Sequence, residues 1–332
     1  MKAALLGYGA VVATAAVVFL TLETPPIVTH QTGYRGTGIQ QVNTARHLRD
    51  VAAANRAPAP IDKVDPDGTK ASQVFQNVQV LGDLDSAEFT RLMSAITEWV
   101  APEQGCSYCH ADGEDLSADT LYTKVAARRM LQMTRELNDQ WGSHVAPAGV
   151  TCYTCHRGQP VPTVRWFEDP GPRTAGGMSG YKNGQNTPGA AVGHASLPFD
   201  PFTPFLLGDQ NIRVVSTTAL PAGNRTPIMQ TEKTYGLMTH ISEALGVNCT
   251  FCHNTRSFFA WDQSAAPRTK AWYGIRMARH LNNDYLGPLS TVLPAHRLGP
   301  LGDAPKVDCA TCHRGAAQPL LGAEMLKDYQ GL

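Results

Sequence analysis

The sequence predicts a mainly helical protein with little β structure, two pseudo-symmetric halves and an apolar amino-terminal helix. Three features predict this. An uncharged run of twenty residues opens the chain, from Ala3 to Leu22. Four later segments show helical spacing of apolar residues. A Cys-x-x-Cys-His motif occurs four times, in two matched pairs. Among 332 residues, Lys plus Arg equals Asp plus Glu at 28 each, so no global basic field of the kind nucleic acids attract is present.

The uncharged run is about the length a helix needs to cross a bilayer, and Lys2 before it with Glu23 after it fits an amino terminus in the cytoplasm. A cleaved signal peptide is the competing reading, with Ala13-Thr14-Ala15 as the small-residue site. Cleavage there would leave the apolar stretch Val17 to Leu22 at the new terminus, which favours a retained anchor over residues 1–23. Residues 24–70 read as an extended approach marked by Pro58, Pro60 and Pro66, where long helices are not expected.

Helical patterns follow at Ala87–Val100, Leu121–Gln140, Thr231–Leu245 and Lys270–Asn283, and short alternations at Val74–Leu81 and Ile212–Val215 suggest small strands. An internal duplication runs through this body. Leu92-Met93 and Ile96 before the first motif match Leu237-Met238 and Ile241 before the third, and Val150 to Gly158 matches Val307 to Gly315. The halves are therefore 71–158 and 211–332, joined by a proline- and glycine-rich connection over 159–210 that reads as a surface loop.

All eight cysteines fall in the motifs Cys106-x-x-Cys109-His110, Cys152-x-x-Cys155-His156, Cys249-x-x-Cys252-His253 and Cys309-x-x-Cys312-His313. Disulfides have no use for a histidine at a fixed offset, a redox dithiol site occurs once per fold, and zinc would need paired clusters. Two cysteines three apart reach the two vinyl groups of one haem as thioethers, and the next histidine can bind the iron. The chain reads as a mainly α multihaem cytochrome c with four haem c groups, attached after export. With 332 residues shared among four haems, the apo-chain is expected to fold poorly.

Methionine on a helix upstream of each motif is the candidate second axial ligand: Met93, Met130 or Met133, Met238 and Met277. Met130 and Met133 share a helix face, so spacing does not separate them. Symmetry gives Met277 to the fourth haem, with His144, His280 and His296 as alternatives.

The phrases NVQVLGDL at 77–84, EFTRLM at 88–93, AARRM at 126–130, VTCYTCHRG at 150–158 and QTEKTYGLM at 230–238, with four motifs in order, resemble the tetrahaem cytochrome subunit of photosynthetic reaction centres. The resemblance covers roughly residues 70 to 320. Unlike many members, this chain has no amino-terminal cysteine to carry a lipid. The resemblance implies Met93 for the first haem, Met130 for the second, Met238 for the third and His144 for the fourth, which would make Met133 and Met277 packing residues. It also implies a nearly linear haem chain in the order first, second, fourth, third, with the third nearest the oxidised bacteriochlorophyll pair. The implied partners are the reaction-centre membrane subunits and a soluble donor, cytochrome c or a high-potential iron-sulfur protein, at the periplasmic face of the cytoplasmic membrane. Glu103, Asp112, Glu114, Asp115 and Asp119 around the first motif would steer a basic donor. The expected role is an electron carrier rather than an enzyme. A membrane-anchored respiratory multihaem cytochrome is the alternative.

Overall fold

The computed structural model describes residues 2–22, 26–170, 189–193, 196–214 and 227–332, with side chains from residue 6 onward. Helix α1, Lys2–Thr21, occupies the uncharged run and spans about 30 Å at 1.5 Å per residue. Its described side chains are all exposed. Among the described residues no helix is long and apolar enough to cross a membrane.

Residues 24–70 are not simply extended, which corrects the expectation for this stretch. Strands β1, Ile27–Thr32, and β2, Ile39–Thr44, form an antiparallel hairpin with Ile27 opposite Thr44. Helix α2, Ala45–Ala54, follows at once, and Thr44 caps it by accepting the His47 N–H at 3.1 Å. The prolines that argued against helix lie beyond it, and 56–67 has no regular structure. No other strand pair forms among the described residues.

Single-turn helix α3, Ala71–Val74, stands where the first small strand was expected. The following loop folds back, with Ala71 N–H to Leu84 O at 2.8 Å and Leu81 buried. At the second expected strand, 212–214 is irregular and Val215 lies outside the described residues.

The four helical patterns appear as α4, Ser86–Val100; α5, Tyr122–Gln140; α8, Ile228–Leu245; and α9, Pro267–His280, which a π-turn over Leu281–Leu286 prolongs. Asp85 starts α4 by accepting the Ala87 N–H at 3.0 Å. Short helices α6, Gly142–Val145, α7, Cys152–His156, and α10, Cys309–His313, complete the set.

The helices pack in the order α4, α7, α10, α8. Gly158 N–H donates to Trp99 O at 2.8 Å where α7 meets α4, and Gly315 N–H donates to Ala244 O at 2.8 Å where α10 meets α8. Between these pairs, Arg157 Nη2 reaches Cys312 O at 2.9 Å. Gly246 ends α8 at φ +65, and a Cβ there would run into Gly315 O, so both backbone conformation and close approach call for glycine.

Apolar cores lie around this file of helices. Leu81, Leu92, Trp99, Leu131 and Tyr329 form one, with the Trp99 and Tyr329 rings edge to face at 4.6 Å. Trp166, Phe202, Phe205, Leu206, Leu237 and Ile275 form another. This corrects the reading of the connection as a surface loop. Its described ends are core: Phe205 and Leu206 are fully buried, and Trp166 exchanges two backbone hydrogen bonds with Lys306. Residues 171–188 lie outside the described residues.

Asn55, buried at the end of α2, ties three segments together. Its Nδ2 donates to Arg314 O at 3.0 Å, and its Oδ1 accepts from Leu320 N–H at 3.3 Å and Arg157 Nη2 at 3.4 Å. Replacing it would strand buried polar groups, a cost of about 1–3 kcal/mol. Asn55→Ala should lower the melting temperature of the haem-loaded protein without changing haem content. An unchanged melting curve would show that these bonds do not hold α2 in place.

Candidate functional site

The second and fourth motifs form the one-turn helices α7 and α10. Thr151 N–H donates to Thr154 Oγ1, and Asp308 N–H to Thr311 Oγ1, both at 3.0 Å, while Asp308 Oδ1 caps the Thr311 N–H at 3.0 Å. Each helix ends on an arginine in the left-handed region, Arg157 at φ 54 and Arg314 at φ 51, followed by a glycine at φ 78. The first and third motifs instead begin on 3-10 turns, Gly105–Tyr108 and Cys249–Phe251, closed by His110 N–H to Cys106 O and His253 N–H to Cys249 O at 2.9 Å each.

Every motif histidine hydrogen-bonds a carbonyl through Nδ1: His110 to Leu116 O at 2.9 Å, His156 to Gln159 O at 2.9 Å, His253 to Phe258 O at 2.8 Å and His313 to Ala316 O at 3.0 Å. A carbonyl only accepts, so Nδ1 carries the proton and Nε2 keeps its lone pair for a metal. Burial lowers the pKa of His156 and His253 and takes His313 down to about 4. Burial also pushes Cys109 up, Cys152 to about 12 and Cys252 to about 11, the opposite of what a reactive dithiol or thiolate metal site needs. Cys309 is raised by burial as well, and Cys312 by its bond with Cys155 and then by burial. The Cys155 and Cys312 sulfurs lie 2.6 Å apart, both as free thiols, so the second and fourth motifs abut.

A cavity of about 1580 Å³ runs between the helices. Binding pockets for one small ligand span about 300–1,000 Å³, so this space fits more than one large group. Its lining is chiefly apolar and includes the cysteines and histidines of the first, second and fourth motifs together with Met93, Met130, Met133, Met277 and His144. Fit to covalent haem rests on this void, the free Nε2 atoms and the paired thiols. Met238 and the third motif's Cys249, Cys252 and His253 do not line it. Met238 packs instead beside the Trp166 and Phe202 cluster.

Among the alternatives for the fourth motif, His144 is the one whose ring meets that of His313. The His144 ring on α6 faces His313 with centroids 6.0 Å apart and planes at 66°, about the separation of two imidazoles bound at roughly 2 Å to either side of one metal. Its Nδ1 also meets a carbonyl, Lys270 O at 2.9 Å, and burial lowers its pKa. Gly274 makes the room, since a Cβ there would come within 2.6 Å of His144 Cε1. His280 has both nitrogens engaged, Nε2 with Glu136 and Nδ1 with Asp284 at 2.5 Å. His296 is exposed on a turn. Met277 packs with Met133 against Leu137, Leu281 and Tyr285. Met130 and Met133 both reach the cavity, so the structure leaves that pair as the sequence did.

Sequence reasoning missed the clamp on the third motif. Fully buried Thr250 Oγ1 accepts the Ile39 N–H at 2.9 Å and donates to Thr32 O at 2.8 Å, and Thr255 Oγ1 donates to Thr37 O at 2.7 Å. The hairpin thus seats on the motif, and nothing local in either segment signals a partner more than two hundred residues away. The acidic cluster is also smaller than expected. Asp119 pairs with Arg128 at 2.7 Å and Lys124 at 3.2 Å, and the Arg128 bond holds its carboxyl well below the usual range. Glu103, Asp112, Glu114 and Asp115 remain exposed.

Buried neutral histidines carry a pH signature. A group held below its ordinary value of 6.5 takes up a proton only on unfolding, so acid favours the unfolded chain across the window from 6.5 down to the folded value, about 4 for His313. Urea midpoints should fall between pH 7 and pH 5. Midpoints that stay level would show that these rings are not held neutral in the folded chain.

The family model for the photosynthetic reaction centre cytochrome C subunit matches residues 23–332. The chain is similar to the photosynthetic reaction center cytochrome c subunit of Rubrivivax gelatinosus, 54% identical over 323 residues that cover 97% of this chain and 88% of the relative. The same-named proteins of Thermochromatium tepidum and Roseobacter denitrificans are 50% and 40% identical, over 97% and 91% of this chain and 79% and 84% of theirs. With a family model over residues 23–332 and relatives 40–54% identical over 91–97% of this chain, the chain belongs to the photosynthetic reaction centre cytochrome c subunit family.

Proposed function

We propose that this chain holds four covalent haem c groups and re-reduces the photo-oxidised bacteriochlorophyll pair of a reaction centre, taking its electrons from a soluble cytochrome c or high-potential iron-sulfur protein. As a member of its family it serves electron transfer to the reaction centre and carries covalent haem. Bound haem supplies one-electron chemistry, and the chain sets attachment, axial ligands and burial.

The observation that carries the reading is the packing order. Helix α4 bears Met93 and lies on the second motif, the second motif abuts the fourth, and the fourth lies on α8, which bears Met238. This supports two dihaem halves, 71–158 and 211–332, and a linear sequence first, second, fourth, third. It fits Met93 with His110, Met238 with His253 and His144 with His313 as axial pairs, and the family resemblance chooses Met130 over Met133 for His156. Thioethers stay chemically soft and neutral, so the three methionine pairs favour the reduced iron more than the bis-histidine pair does. Electrons then arrive near His110 and leave near His253.

The exposed carboxylates Glu103, Asp112, Glu114 and Asp115 beside the first motif suit a basic donor. Helix α1, with exposed Leu6, Val11, Phe19 and Leu20 and no charge after Lys2, is read as the hold on the periplasmic side of the photosynthetic membrane.

A flash on native membranes, with haem and bacteriochlorophyll absorption followed together while the ambient potential is stepped, should show haem oxidation matched to re-reduction of the pair and four components in the titration. Haems that titrate normally but stay reduced after the flash would make this a respiratory relay instead. Changing the four exposed carboxylates to amides should slow re-reduction at low salt and leave the rate at high salt unaltered. Equal rates at low salt would remove the steering role.

A further inference from the structure

We propose that Arg297 anchors the carboxylate side chains of the haem attached at the first motif, reaching it from the part of the chain that carries the third and fourth motifs. The inference rests on the four-haem reading above.

The cavity wall carries six cations: Lys124, Arg128, Arg165, Lys270, Arg297 and Lys306. Three are ion-paired within the protein. Lys124 and Arg128 share Asp119, and Lys306 pairs with Asp303 and, at 3.3 Å, with Glu168. Arg165 and Lys270 spend a nitrogen each on backbone oxygens, Pro162 O at 2.9 Å and Ala146 O at 3.4 Å. Among the described residues Arg297, like Arg165, keeps two guanidinium nitrogens open, and it is the one held beside the first motif. Its Nε donates to the Tyr122 hydroxyl at 3.4 Å, and among the described residues its two terminal nitrogens meet no acceptor.

A half-buried guanidinium left with an open fork is matched by a planar carboxylate, which it holds through two parallel hydrogen bonds. The cavity offers none of its own at that place. The carboxylates on its wall are Asp115 and Asp308, and these are used on Ser117 N–H at 2.7 Å and on the start of α10. Covalently attached haem brings two carboxylates into the same space, one pair for each motif.

Position selects the first motif. Arg297 is held at Tyr122, which starts α5, and both line the cavity together with Tyr108, which lies between Cys106 and Cys109. The Tyr108 backbone is fixed by Thr123, whose hydroxyl donates to its carbonyl. The arginine is itself placed by a tight turn, with its N–H on Pro294 O at 2.8 Å. The exchange is reciprocal, because His144 crosses from the first part of the chain to face His313.

A cation beside a haem carboxylate disfavours the additional positive charge of the oxidised iron, so its removal should lower that haem's potential. The test is a redox titration of the haem-loaded protein, wild type against Arg297→Gln and Arg297→Lys. One component is expected to move to lower potential in Arg297→Gln and to stay near its wild-type position in Arg297→Lys. That component should be the one lost from a Cys106→Ala, Cys109→Ala double variant or, where the double variant does not accumulate, the one displaced by Met93→His. The proposal is overturned if all components of Arg297→Gln stay in place, if several move together, or if the moving component belongs to another motif. A double variant that keeps all four components would remove the attachment reading, and this proposal with it.

Discussion

A histidine binds iron only through a nitrogen that keeps its lone pair, and here a backbone carbonyl on Nδ1 secures that condition in five separate rings. The acceptors lie a few residues beyond the motif, at Leu116, Gln159, Phe258 and Ala316, or on a neighbouring helix at Lys270. To bring such a carbonyl back under its own ring, the chain must reverse immediately after the histidine. The left-handed arginines and the glycines behind them make that reversal at the second and fourth motifs. Local backbone shape and ligand chemistry are therefore one requirement.

The same reversals create the packing file. Once Arg157 and Arg314 turn the chain, Gly158 and Gly315 present N–H groups to the ends of α4 and α8, which binds each of these helices to the neighbouring motif. The space between is left unfilled by protein side chains, and the apolar clusters lie around it rather than in it. Polar ties outside this space, at Asn55, Arg157 and Thr250, join residues 100 to more than 250 positions apart. A chain arranged in this way depends on its cofactors for the interior that other proteins build from leucine and phenylalanine.

What the sequence disclosed follows from whether the signal was local. Four helices appear where periodicity put them, within a few residues at each end, because apolar spacing is written in adjacent positions. The attachment motifs were legible for the same reason. The hairpin and α2 carry weak local signals, because β-branched residues cluster in Ile27–Thr44 without strict alternation and the prolines at 58, 60 and 66 point to extended chain. The buried ends of the connection were missed because Trp166 and Phe205 acquire their meaning only from partners on α8, α9 and Lys306.

The fourth motif shows how a sequence repeat and a spatial repeat can part. By duplication α9 should offer Met277 as α5 offers Met130. The next turn of α9 differs from α5, because His280 is pinned between Glu136 and Asp284 and the helix passes directly into a π-turn. Met277 packs with the cluster of Leu137 and Tyr285 and also borders the cavity. One turn earlier, Gly274 leaves the helix surface bare, and the ring of His144 occupies it. A single missing Cβ on one helix thus admits a side chain from another, and the symmetry legible in the repeats is broken at the point where the two parts of the chain interlock.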